Sequence, residues 1–132
     1  MKYITLGEIL ILHDYQIERF GGRHGILNSQ ILESCVFKPQ TVLYQEELYP
    51  SVFDKAAVLA MSIIQFHPFV DGNKRTGIYS ALIFLEINGY DLKISNRKLV
   101  SLTNKIAGKD TNLRKIAKVF EEFCTNNDKK IS

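Results

Sequence analysis

His67-Pro68-Phe69-Val70-Asp71-Gly72-Asn73-Lys74-Arg75 joins two strongly apolar segments of a 132-residue chain. On the N-terminal side, Ser51 reads as a helix cap with Asp54 in the first turn. Phe53, Ala56, Ala57, Ala60, Ile63, Ile64 and His67 then fall on one helical face. The small alanines let another helix pack close. Pro68 ends that helix and should push His67 toward extended backbone. On the other side a helix begins at about Asn73 or Lys74. It carries Ile78, Ala81, Leu82 and Leu85 and stops at Asn88-Gly89, a natural left-handed cap. Its apolar content around the circumference suggests a central helix. The stretch is therefore a tight joint between two buried helices, and the fold class is all-α.

The same periodicity extends outward. Thr5-Leu6-Gly7-Glu8 is a capping box that opens a helix. Leu6, Ile9, Leu10, His13, Ile17 and Phe20 line its inner face, and Gly21-Gly22 ends it. A second helix runs from about Asn28, a good N-cap, to Phe37, with Ile31, Leu32, Cys35 and Val36 inward, and Pro39 stops it. Residues 38–50 break the pattern. Thr41-Val42-Leu43-Tyr44 has strand-like composition, so a mobile loop or small hairpin is expected there. Two helices follow the central one, at about Asn96 to Ala107 and at Thr111 to Cys124, the latter capped by Asp110. The tail, 125–132, is polar and expected to fray. The spacing predicts one domain over 1–132, a bundle of about six helices with one irregular flap.

Composition narrows the function classes. Seventeen basic and 14 acidic residues leave a net charge of only +3. A nucleic-acid binder would show a denser basic stripe, so no direct nucleic-acid partner is expected. No apolar run approaches the roughly 18 residues of a membrane span, and no signal peptide is expected. Cys35 and Cys124 sit inside apolar helical patterns and read as buried thiols of a reducing compartment. The expected location is cytoplasmic.

The joint carries the chemistry. Histidine titrates near neutral pH, which suits His67 to general-base work, although a histidine at a helix end is more often just a cap. Asp71 before Gly72 is commonly a turn former. Beside phosphates it becomes a plausible Mg²⁺ ligand. Gly72 lets backbone N–H groups curl into an anion nest, and the dipole of the next helix points at the same spot. Asn73 could cap that helix or hold a phosphate oxygen. Lys74 and Arg75 stand where cations are unfavourable by roughly 0.3–1 kcal/mol, and a bound polyphosphate would reverse that sign. Thr76 more simply finishes the turn than touches a ligand. Phe69 reads as an anchor that buries the loop. Base, carboxylate, nest and cations in order are the parts that phosphoryl or nucleotidyl transfer requires.

His67 through Thr76 resembles the signature of the Fic/Doc family, in its Doc (death-on-curing) form. Gly21-Gly22 with Gly25-Ile26, Leu32-Glu33-Ser34, Lys38-Pro39-Gln40, Tyr49-Pro50, Lys55-Ala56-Ala57 and Asn88-Gly89 are similar to further landmarks of that type. The resemblance implies a Fic-fold helical core whose central helix pair frames motif 67–75, with a β-hairpin flap before it. Most members transfer AMP to a hydroxyl of a target protein and carry glycine between the motif asparagine and arginine. This chain has Lys74 there. In Doc-type members that lysine goes with an inverted nucleotide and with transfer of the γ-phosphate.

The resemblance implies a toxin kinase using ATP and Mg²⁺ on a Thr or Ser hydroxyl, with elongation factor Tu as target and translation arrested. An AMP transferase on the same site is the alternative. A non-catalytic anion- or partner-binding module is the alternative of another class. The implied roles are His67 as base, Asp71 as Mg²⁺ ligand, and Gly72, Asn73 and Lys74 as phosphate cradle. Arg75 would neutralise charge on the transferred group. Thr41, Val42, Leu43 and Tyr44 would dock the target by strand pairing. Many relatives are silenced by a helix bearing Ser/Thr-x-x-x-Glu-Gly/Asn. No glutamate here is followed by glycine or asparagine. Inhibition is therefore expected in trans, from a Phd-type antitoxin that supplies the helix.

Overall fold

Local capping signals account for most of the helix starts. The computed structural model describes residues 1–126 and contains six α-helices: α1 (Leu6–Phe20), α2 (Ser29–Phe37), α3 (Val52–Phe66), α4 (Asn73–Ile87), α5 (Asn96–Ala107) and α6 (Leu113–Phe123). Thr5 accepts from the Glu8 N–H while the Glu8 carboxylate accepts from Thr5 N, closing the capping box of α1. Ser51 and Asp54 do the same for α3. Asn28 caps α2 and Ser95 caps α5. Each such cap stabilises its helix by about 1 kcal/mol.

The last helix differs from expectation at both ends, running Leu113–Phe123 instead of Thr111 to Cys124. α6 is capped by Asn112, whose Oδ1 accepts from Lys115 N at 3.0 Å, not by Asp110. Asp110 belongs to the preceding turn, where its N–H reaches back to the Lys105 carbonyl at 2.8 Å. Lys109, in the left-handed region at φ 58°, makes that return possible.

The core is built around α3, which is buried on nearly every side, more so than α4. The alanine face does let α4 approach. A Cβ added at Gly77 would come within 2.6 Å of Ile64 Cγ1 and 3.1 Å of the Ala60 carbonyl. Phe84, Leu85, Ile106, Ile116 and Phe120 close the core from α4, α5 and α6.

The irregular segment resolves into a 3₁₀ turn at Lys38–Gln40 and a small hairpin, β1 (Val42–Leu43) with β2 (Glu46–Glu47). The strands are antiparallel, with Val42 opposite Glu47 and Leu43 opposite Glu46. Tyr44 and Gln45 form the turn at φ 51° and 67°, the double left-handed geometry that suits two-residue hairpin loops. Tyr44 is 91% exposed at the tip. The base is tied down by Leu48 N to the Thr41 carbonyl at 2.9 Å. It is also held by Lys55, whose buried ammonium donates to Glu47 Oε1 at 3.1 Å and to the Tyr49 carbonyl.

A second sheet was not expected. β3 (Tyr90–Leu92) pairs antiparallel with β4 (Cys124–Asn126). The frayed tail expected over 125–132 is thus corrected at its start, because residues 125 and 126 are held in a ladder; 127–132 lie outside the described residues. Both cysteines are free thiols, and burial pushes each pKa up to about 11. Among the described residues no helix is long and apolar enough to cross a membrane.

Candidate active site

The joint between α3 and α4 folds back against the segment between α1 and α2. Ile26 and Phe69 form an isolated antiparallel bridge. The Pro68 carbonyl accepts from Leu27 N at 2.8 Å and Asn28 N at 3.1 Å, and Val70 N donates to the Gly25 carbonyl at 3.0 Å. Gly25 allows this approach at φ 124°; a Cβ there would sit 3.3 Å from Val70 Cγ2. Side chains support the same segment. His24 donates to Glu18 at 2.7 Å and reaches Asp14 at 3.3 Å, and these carboxylates, Glu18 first, raise its pKa above the ordinary value.

His67 is the C-cap of α3. It adopts φ 51°, ψ 59°, the left-handed region, instead of the extended backbone expected before proline. Proline disfavours the right-handed helical region for the residue before it, and His67 leaves that region on the left-handed side instead of the extended one. The conformation costs roughly 1–2 kcal/mol for a non-glycine residue. It turns the chain sharply out of the helix and leaves the His67 side chain exposed at the mouth of a cavity.

Phe69 is 1% exposed and lies flat on the His13 ring, with centroids 3.8 Å apart and planes 6° off parallel. Asn73 has a different task from capping α4. Its Oδ1 accepts from Phe69 N at 3.0 Å and its Nδ2 donates to the Phe69 carbonyl at 2.9 Å, so its amide clamps the loop. Thr76 is fully buried, and among the described residues its hydroxyl has no hydrogen-bond partner.

Asp71 is gripped from α1 and the segment after it. His13 Nε2 lies 2.8 Å from its carbonyl oxygen, and Arg23 N–H donates to its Oδ2 at 2.9 Å. No hydrogen bond among the described residues engages Oδ1. Among the described residues no group of three or more His, Cys, Asp or Glu could hold a metal. A Mg²⁺ ion commonly takes one or two carboxylates and completes its shell with ligand oxygens and water, and Asp71 is the carboxylate this loop offers.

Gly72 is the N-cap of α4, left-handed at φ 79°, and no side chain caps this helix. The first N–H groups of α4 are thus available to an anion. Lys74 and Arg75 are exposed beside them, and the Arg75 guanidinium lies 4.3 Å from the Phe20 ring centroid. Such a contact contributes about 0.5–1 kcal/mol at an exposed site.

His67, Asp71, Gly72, Asn73, Lys74 and Arg75 all line one cavity of about 720 Å³. Its far wall is a face of α5, with Asn96, Leu99, Val100, Thr103 and Asn104, and Phe20 closes one side. Thr41, Val42, Leu43 and Tyr44 are not among the lining residues. They form the separate hairpin. Sequence reasoning missed His13, Arg23, Phe20 and the α5 wall. A histidine on the inner face of α1 was the one local signal for any of them.

The protein-family model described as the Fic/DOC family matches residues 3–85. A protein named Toxin Doc from Mycolicibacterium smegmatis is 38% identical over 107 residues, covering 80% of this chain and 82% of that protein. Protein kinase doc of Escherichia phage P1 is 33% identical over 103 residues, covering 78% and 80%.

Proposed function

The chain belongs to the Fic/DOC family, and on that premise we propose that it is a toxin kinase that moves the γ-phosphate of ATP onto a Thr or Ser hydroxyl of a target protein. The observation that carries this reading is the start of α4. It is uncapped by any side chain, it opens into the cavity, and Lys74 and Arg75 stand beside it with His67 and Asp71 on the same wall. That surface favours a polyphosphate next to a base.

In the proposed reaction His67 takes the proton of the target hydroxyl. The freed oxygen bonds to the γ-phosphorus as the bond to the β–γ bridging oxygen breaks, and ADP leaves. The backbone N–H groups at Gly72 and Asn73, with the Lys74 ammonium, cradle the phosphates. Arg75 faces the charge that builds on the transferred group. Asp71 Oδ1 would hold Mg²⁺, which supplies charge neutralisation between phosphates when bound. The resemblance points to elongation factor Tu as target and to the exposed edge of Thr41, Val42, Leu43 and Tyr44 as the dock for its peptide. It also points to restraint by an antitoxin of Phd type acting in trans, consistent with the lack of any Glu-Gly or Glu-Asn in the chain. One of the named relatives is called a protein kinase and another a toxin, which favours the same reading.

The test is transfer from ATP labelled separately at the α- and γ-positions, with elongation factor Tu as acceptor. The γ-label is expected on the acceptor, and His67→Ala should lower the rate by about 10²–10⁴-fold. Transfer of the α-label instead would convert the assignment to AMP transfer. Bound ATP with neither label moved would make the site a binding module.

A further inference from the structure

His13 lies outside the signature, on α1, and the roles proposed above do not use it. It is 2% exposed. Its ring touches the motif loop in two ways, through the parallel stack on Phe69 and the 2.8 Å contact from Nε2 to the Asp71 carbonyl. A carbonyl oxygen only accepts, so Nε2 is the nitrogen that carries the proton. Its ring also lies against Gly72, where a Cβ would stand 3.6 Å from Nε2 and Cδ2. The ring thus meets the anchor, the carboxylate residue and the glycine of the loop.

We infer that His13 is a positioning residue: by donating to the Asp71 carbonyl it sets the peptide plane between Asp71 and Gly72, and so aims the Asp71 carboxylate and the α4 amides at one ligand. The inference rests on the proposed binding of Mg²⁺–ATP at this site. Two hydrogen bonds then define Asp71, one on its main chain from His13 and one on Oδ2 from Arg23 N–H. With both in place the residue presents Oδ1 to a cation. If His13 merely filled space in the core, any flat apolar ring would serve as well. The Asp71 carbonyl separates the two roles, because phenylalanine keeps the stack and cannot donate.

The experiment compares wild type, His13→Phe and His13→Gln in the full chain, measuring Mg²⁺-dependent ATP binding by calorimetry and the melting temperature of each. His13→Phe should fold and weaken Mg²⁺-dependent binding about ten- to a hundred-fold, the usual loss when the group that orients a metal ligand is removed. His13→Gln, whose amide can donate to the same carbonyl, should recover most of that loss although it lacks the ring. Binding by His13→Phe equal to wild type would overturn the inference, as would a folded His13→Gln no better than His13→Phe. If His13→Phe does not fold, His13→Leu takes its place in the same comparison.

A wild-type chain that binds no Mg²⁺–ATP would sink the proposed function instead. The amide of Arg23, bonded to Asp71 Oδ2, would then decide the inference without any ligand. Its hydrogen exchange should be faster in the variant that cannot donate than in wild type and His13→Gln, and equal rates would overturn the positioning role.

Discussion

Helices α3 and α4 pack side by side, yet they begin on opposite electrostatic terms. α3 opens with Ser51 and Asp54, a closed capping box that pairs the Ser51 and Asp54 N–H groups and puts a carboxylate at its positive end. α4 opens with Gly72, no side-chain cap, and Lys74 and Arg75 in its first turn. The start of α3 is capped by its own side chains. The start of α4 places Lys74 and Arg75 at its own positive end, a cost of roughly 0.3–1 kcal/mol that a bound anion would offset. A helix terminus that forgoes local stability, facing a cavity, is where binding energy can be gained later.

This contrast can be broken from either side. The largest effect should come from Lys74→Gln. Losing one charge-assisted contact to phosphate costs about 1.5–3 kcal/mol, or roughly ten- to a hundred-fold in ATP affinity. The free protein should keep its melting temperature or gain slightly, since a cation at a helix start is unfavourable by about 0.3–1 kcal/mol. A variant that loses stability and affinity together would contradict the idea that α4 starts at a local cost. Ser51→Ala should do the reverse. Loss of the cap should lower stability by about 1 kcal/mol in denaturant unfolding and leave ATP affinity unchanged.

The smallest effect concerns the segment that braces the α4 start. The His24 pKa is raised by Glu18 and Asp14, so protonation and folding favour each other. That contribution is full below the ordinary value of 6.5 and fades as pH rises through the raised folded value. A proton NMR titration should place His24 above 6.5, and Glu18→Gln should bring it down. With His24 so exposed, the change in overall stability should be slight.

The helices were legible because their signals are local. Thr5 with Glu8, Asn28 and Ser51 announce starts within one turn of chain, and the alanines of α3 declare a close neighbour. The motif's residues were legible for the same reason, being contiguous. What escaped was set by tertiary placement. Nothing in the spacing of α5 says that Asn96, Leu99 and Asn104 face the α4 start. The β3–β4 ladder joins residues far apart in the chain, and its hydrogen bonds are main-chain, so side-chain patterns do not report it. The clamp that Asn73 places on the Phe69 backbone escaped because it depends on a loop turn that only coordinates reveal. His13 sat in view on an apolar face, where a histidine is usually just part of the packing.

The bridge between Gly25–Asn28 and Pro68–Val70 has a consequence for how this site can change over time. Its bonds run from N–H to carbonyl, so apart from Gly25 the segment beside the motif can exchange most of its side chains without loosening it. Ile26 and Leu27 are substantially exposed there, and their chemistry is not committed to holding the joint. A lineage could redraw that rim, and with it which proteins approach the site, while the reactive geometry stays inherited intact.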